Sequence, residues 1–145
     1  MRVEAREAPF DPWSELAAYQ AESGARPGGY GATAVFVGTM RDFNGPDRVR
    51  EMTLEHYPDM TERYLDRIAG EARGRWQLLD VLVVHRVGRL APGDPIVLIA
   101  VWSAHRADAF EACRYVIEEL KHRAPFWKKE TLPDGERWVE QNTPG

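Results

Sequence analysis

The sequence predicts a single α+β domain. Three helical stretches alternate with paired β-rich runs, and turn formers rather than helices join the two members of each pair. Hairpins therefore outnumber crossovers, the mark of segregated rather than alternating α and β structure. The 145 residues fit one domain large enough to bury a core, and no internal repeat or linker interrupts them.

Asp11 followed by Pro12 reads as an N-cap with proline at the first helical position, opening a helix over about residues 12–21 with Leu16 and Tyr19 inward. SGARPGG then breaks the chain. Gly31 to Arg41 is β-rich and apolar on both faces, which predicts a central strand. The turn-rich DFNGPD leads into Val49–Tyr57, where Met52, Leu54 and His56 alternate with Glu51, Thr53 and Glu55, and the two runs are expected to pair as a hairpin. Asp59 and Glu62 have capping-box spacing for a helix that buries Met60, Tyr64, Leu65, Ile68 and Ala72 and ends near Gly74. Leu78–Val87 and Ile96–Trp102 are strands joined by GRLAPGD. Ser103 caps a third helix reaching about Arg123, since Pro125 disfavours helix at Ala124. Lys128–Thr131 and Glu136–Glu140 flank Pro133-Asp134-Gly135 and predict a terminal hairpin.

Composition narrows the function. A net charge of −4 argues against a general nucleic-acid binder, which carries a basic face. No apolar run approaches the ~20 residues needed to cross a bilayer, and the charged N-terminus lacks the apolar core of a secretory signal. Cys113 is the single cysteine and the four histidines show no ligand spacing, so no disulfide, metal or other cofactor is expected. A reducing cytoplasm is the expected compartment.

Against this acidic background, LKHRAPFWKKE (Leu120 to Glu130) is a cationic cluster at a helix end. At about 100° per residue, Phe110, Cys113, Ile117 and Leu120 form an apolar stripe, with Arg106 near its middle and Lys121 at its edge. Cations at both ends of a buried face are either snorkelling stems or the walls of an anion site. Lys121, with His122, Arg123, Lys128 and Lys129 around it, is pushed toward neutrality by like charge and burial, while the helix C-terminus opposes that shift. A near-neutral lysine can serve as acid, base or nucleophile. Lys128 and Lys129 lie in an extended segment and point to opposite sides, so at most one shares a pocket with Lys121. Phe126 and Trp127 read as core anchors, and Arg41 at a strand end is a further anion contact.

The segments GTMRDFN, LEHYPDMTE, HRVGRLAPGD, SAHRADAFEA and LKHRAPFWKKE, in that order, resemble the catalytic (large) subunit of molybdopterin synthase, the MoaE family, over about residues 9–140. The resemblance implies an α/β-hammerhead-like fold with an antiparallel β subdomain. It implies a sulfurtransferase that puts two sulfurs into cyclic pyranopterin monophosphate, forming the dithiolene of molybdopterin. The sulfur comes from the thiocarboxylate on the C-terminal Gly-Gly tail of a small ubiquitin-like subunit, in a heterotetramer built on a homodimer of large subunits. By position, Lys121 and Lys128 match the catalytic lysines. Thr39, Met40, Arg41, His105, Arg106, Lys129 and Glu130, with both lysines, match the substrate-binding set, and Phe36 a contact to the partner's tail. Lys121 is then expected to do acid/base work or to hold the acyl tail transiently. The chain departs from the family at Phe43, where relatives often carry histidine, and in its short tail after Glu140.

Two other readings use the same residues. A non-catalytic module could bind a phosphorylated metabolite in the cationic pocket, and a purely structural dimerisation subunit would show no phosphate affinity. Both lysines in one pocket favour the enzyme; both in solvent favour the module. The chain is not itself the sulfur carrier, for it ends Thr-Pro-Gly and is too helical.

Overall fold

The computed structural model describes residues 1–123 and 126–139; the helix stop at Ala124-Pro125 and the hairpin end at Glu140 lie outside them. Two four-stranded sheets, a two-stranded hairpin and three helices make up the fold of the described residues. In chain order these are β1 (Arg2–Arg6), α1 (Pro12–Glu22), β2 (Ala32–Thr39), β3 (Phe43–Asn44), β4 (Asp47–Arg48), β5 (Glu51–His56), α2 (Pro58–Arg75), β6 (Leu78–Arg86), β7 (Gly88–Leu90), β8 (Pro95–Ser103), α3 (Arg106–Arg123), β9 (Phe126–Leu132) and β10 (Gly135–Val139).

The first sheet has the order β1-β6-β8-β2, with β1 parallel to β6 and the other pairs antiparallel. β6 and β8 are buried on both faces because helices cover both sides. On one face α2 and α3 pack Leu65, Ile68, Ala72, Val116 and Leu120 against Val81, Val83, Ile99 and Val101. On the other, α1 packs Tyr19 with Phe10 against Leu82, Val84, Leu98 and Trp102. Asp11 caps α1 as expected, its Oδ1 accepting from the Trp13 amide at 3.0 Å. The second sheet, β10-β9-β5-β7, is antiparallel throughout and carries a smaller core of Met40, Val49, Met52, Leu54 and Leu90. The chain passes from the first sheet to the second between β6 and β7 at Gly88, whose φ of 86° is open to glycine and strained for other residues.

Several expectations fail for physical reasons. β2 does not pair with β5: it lies against β8 at the edge of the first sheet, while residues 43–48 close their own small hairpin and β5 joins the second sheet. Its two apolar faces therefore mark exposed apolar surface rather than a central position, with Val35 and Phe36 each 36% exposed. α2 begins at Pro58 behind Tyr57, so Asp59 sits in its first turn rather than at the cap, and Met60 faces solvent. Ser103 ends β8 and donates to the Gln77 carbonyl at 3.0 Å instead of capping α3. Phe110, expected in the buried stripe, is exposed, and Ala109, Ala112 and Val116 take the core positions beside Cys113, Ile117 and Leu120. The terminal hairpin forms as expected from β9 and β10. β1 and β7 carry too little apolar pattern to be read from sequence.

Candidate active site

The two sheets and one side of α3 from Phe110 to Lys121 line a cavity of about 620 Å³. α3 brings Lys121 to it, and β9 brings Lys128 and Glu130. Pairing of β9 with β5 sets Lys128 opposite Leu54 and Glu130 opposite Met52, so one pleated face carries the apolar floor and both polar side chains. β2 contributes Phe36 and, at its end, Thr39, and the segment after it Met40 and Arg41. That segment is tied down where the Met40 amide donates to the Asp94 carbonyl at 2.9 Å and its own carbonyl accepts from the Gly93 amide at 2.8 Å.

Burial decides the contest at Lys121. Desolvation, reinforced by the charges of Lys128 and Arg41, pushes its pKa down to about 8 against the opposing pull of Glu118. Burial also lowers Lys128. The two amines hydrogen-bond each other in the sense that favours charge on Lys128 and a lone pair on Lys121. Two cations share that contact only at a cost, so Lys121 begins to give up its proton near pH 8, where an isolated lysine is still fully charged.

Arg41 is exposed and lies 4.8 Å over the Phe43 ring, a cation–π contact that aims it along the cavity rim. Phe43 thus supports a cation at the cavity mouth. Glu130, 6% exposed, accepts from Asn44 Nδ2 at 3.1 Å and Arg137 Nε at 3.1 Å. Arg137 also bonds Asp47 at 2.7 Å, locking the β3–β4 hairpin to the terminal hairpin at the cavity wall. Asn44 and Arg137 were missed in the sequence because each acts through a neighbour distant in the chain, Glu130 and Asp47 respectively.

Of the residues singled out from sequence, the structure brings Phe36, Thr39, Met40, Arg41, Lys121, Lys128 and Glu130 to one cavity. Lys129 faces the other way, bonded to Glu136 at 3.1 Å and lying over Trp138, as alternation along β9 requires. His105 and Arg106 are exposed at the start of α3 and do not line the cavity. Among the described residues no group of histidine, cysteine and carboxylate side chains could hold a metal ion.

Comparison with known proteins converges on one family. The profile of the MoaE protein family matches residues 6–123. A molybdopterin synthase catalytic subunit from Pseudomonas aeruginosa is 51% identical over 140 residues, 97% of this chain and 91% of the relative. That of Escherichia coli is 54% identical over 110 residues, 76% of this chain and 73% of the relative. Among solved structures, the molybdopterin biosynthesis MoaE protein of Burkholderia ambifaria has a TM-score of 0.79 at 49% identity, covering 99% of this chain and 91% of that one. Molybdopterin synthase from Staphylococcus aureus reaches a TM-score of 0.84 at 33% identity, covering 97% and 99%.

Proposed function

The chain belongs to the MoaE family, and from that premise we propose how its cavity works as the catalytic subunit of molybdopterin synthase. The enzyme is a sulfurtransferase that makes the dithiolene of molybdopterin from cyclic pyranopterin monophosphate. Its partner is the small ubiquitin-like subunit, whose Gly-Gly thiocarboxylate enters the cavity past Phe36. We assign it to the cytoplasm as one domain over residues 1–145; among the described residues no helix is long and apolar enough to cross a membrane.

The observation that carries the reading is the meeting of Lys121 and Lys128 in one cavity beside Arg41. Arg41 and Lys128 hold the cyclic phosphate by charge-assisted hydrogen bonds. The thiocarboxylate sulfur forms a bond to a substrate carbon as that carbon's bond to oxygen breaks, the oxygen leaving with the electron pair and taking up a proton, so that sulfur links the carrier's acyl group to the pterin. Water then attacks the acyl carbon, the acyl C–S bond breaks, sulfur stays on the pterin, and the tail leaves as a carboxylate. Lys121 takes the proton from that water, a task suited to an amine with pKa about 8. Acid/base work is preferred over acyl capture because an acyl-lysine is an amide, harder to hydrolyse than the thioester it replaces.

The support for each remaining residue differs. Thr39, Met40 and Glu130 shape the cavity wall around the substrate, while Lys129 belongs to the proposal only through its main chain. His105 and Arg106, exposed and away from this cavity, are proposed to serve the site of the second copy in a homodimer, within the heterotetramer.

Single-turnover conversion of cyclic pyranopterin monophosphate with thiocarboxylated small subunit tests the reading. Wild type is expected to yield dithiolene, and Lys121→Ala to lose at least about a hundredfold in rate while staying folded. Full activity in Lys121→Ala would remove the catalytic assignment. Phosphate binding without turnover in wild type would favour the non-catalytic module.

A further inference from the structure

His85 stands in the wall of the same cavity with no role assigned so far. It is 8% exposed, and its ring stacks on Phe126 with centroids 4.2 Å apart and planes 20° from parallel. Its Nδ1 lies 2.7 Å from the Arg86 carbonyl oxygen. A carbonyl only accepts, so Nδ1 carries the hydrogen and, in the neutral ring, Nε2 carries the lone pair. Burial first, then the charges of Lys121, Lys128 and His56, hold the pKa down to about 4 despite the bond to Arg86, so the ring is neutral at working pH.

Nε2 makes no hydrogen bond among the described residues. Nor is it one of their fully enclosed unpartnered polar atoms, which are Arg2 Nε, Arg86 Nε and Nη1 and Trp102 Nε1. With Nδ1 turned to the Arg86 carbonyl, Nε2 is the ring nitrogen left to face a ligand in the cavity that His85 lines. The cavity's other polar groups are mainly donors: Arg41, Lys121 and Lys128. Its carboxylates are already engaged, Glu118 by Arg114 at 3.1 Å and Glu130 by Asn44 and Arg137. An anion calls only for donors. A rigid, neutral acceptor held among cations answers instead to an N–H or O–H on the ligand.

We propose that His85 Nε2 accepts a hydrogen bond from an N–H of the substrate's heterocycle, so that the site selects a phosphate-bearing ring with donors over a bare cyclic phosphate. The assignment rests on the pyranopterin reading above and specifies which side chain recognises the ring. A ligand without the donor leaves Nε2 desolvated and unpaired, which is the source of the selectivity.

The test uses the assembled two-subunit complex with ordinary carboxylate tails, so that binding is measured without turnover. Two ligands are titrated calorimetrically: cyclic pyranopterin monophosphate and trimethylene cyclic phosphate, which has the anion but no ring donors. His85→Asn can keep the bond to the Arg86 carbonyl but has nothing at the Nε2 position; His85→Gln places an amide oxygen there. Asn is expected to weaken the pyranopterin about tenfold, Gln to stay within about threefold, and trimethylene cyclic phosphate to bind all three proteins alike. Where Asn does not fold, His85→Met supplies a similar volume without a comparable acceptor. Pyranopterin binding by Asn or Met equal to wild type, Gln falling as far as they do, or parallel weakening of both ligands overturns the role of His85 alone. A wild type that binds the simple phosphate as tightly as the pyranopterin overturns the proposed substrate and this inference with it.

Discussion

Replacing Lys121 by methionine should make the protein more stable while removing its activity. The native pKa of about 8 stands below the ordinary 10.5, a gap worth at most about 3 kcal/mol of unfavourable interaction when the amine is charged. Methionine keeps the unbranched stem against the apolar floor and removes the charge, so that cost disappears. For a domain of this size about 3 °C per kcal/mol sets the scale, and a rise of roughly 5–10 °C in Tm at pH 7 is expected. The pH dependence gives the sharper check. Because the folded-state pKa is the lower one, the unfolded chain holds the extra proton between about pH 8 and 10.5, and wild-type stability rises with pH across that window. The advantage of Lys121→Met should accordingly be full below pH 8 and close progressively toward pH 10.5. Thermal melts of both proteins at one protomer concentration, from pH 6 to 10.5, measure it, and other titrating groups cancel in the difference. A Tm at pH 7 equal to or below wild type, or a difference independent of pH, would refute the claim that burial has lowered the pKa of this lysine.

The same electrostatics predict that Lys128→Gln, by removing a neighbouring cation, raises the Lys121 pKa; the midpoint of the rise in single-turnover rate with pH should move above its wild-type position near 8, and an unmoved midpoint would dissociate the two lysines. Tyr19→Phe strips buried Asp80 of a donor at 2.8 Å, and urea unfolding should register a loss of about 1–3 kcal/mol; no loss would mean that the ammonium of Met1 and the Val81 amide satisfy Asp80 unaided.

Sequence made the elements of this fold more legible than their partners. α1 with its Asp11 cap, the long strands β6 and β8, and the β9–β10 hairpin follow from local rules of capping, apolar runs and turn chemistry. Pairing did not follow. Gly31–Arg41 reads as a central strand because it is apolar on both faces, yet an edge strand that presents Val35 and Phe36 on the surface has the same pattern. β1 was hidden for the opposite reason. Its arginines and glutamate are partly buried in ion pairs, Arg6 with Glu4 at 2.8 Å and Arg2 with Glu15 at 3.2 Å, so it has no apolar signature. In the cavity, the alternation that separates Lys128 from Lys129 was readable, since it needs only the period of a strand. His85 was not, because what makes it polar and available is one carbonyl and one ring supplied by the fold.

The location of the cavity follows from what a cationic site costs. Two lysines within hydrogen-bonding reach repel each other, and either sheet alone could hold them only by spending its own core on them. Here the cost is divided. Lys121 belongs to α3, anchored by Leu120, Ile117 and Val116 in the core of the first sheet. Lys128 belongs to β9, held by its full register with β5 in the second sheet. Each lysine is fixed by packing that does not depend on the other, so the repulsion cannot be relieved by a small shift of one side chain. It is expressed instead as a pKa lowered to about 8, which brings both the charged and the neutral amine within reach near neutral pH, as an acid/base catalyst needs. The passage from β6 into β7 at Gly88 is a covalent path between the two sheets, and its conformation helps set their relative position. The reactivity of Lys121 is thus a property of how two sheets meet, since the core of the first holds Lys121 and the strand register of the second holds Lys128.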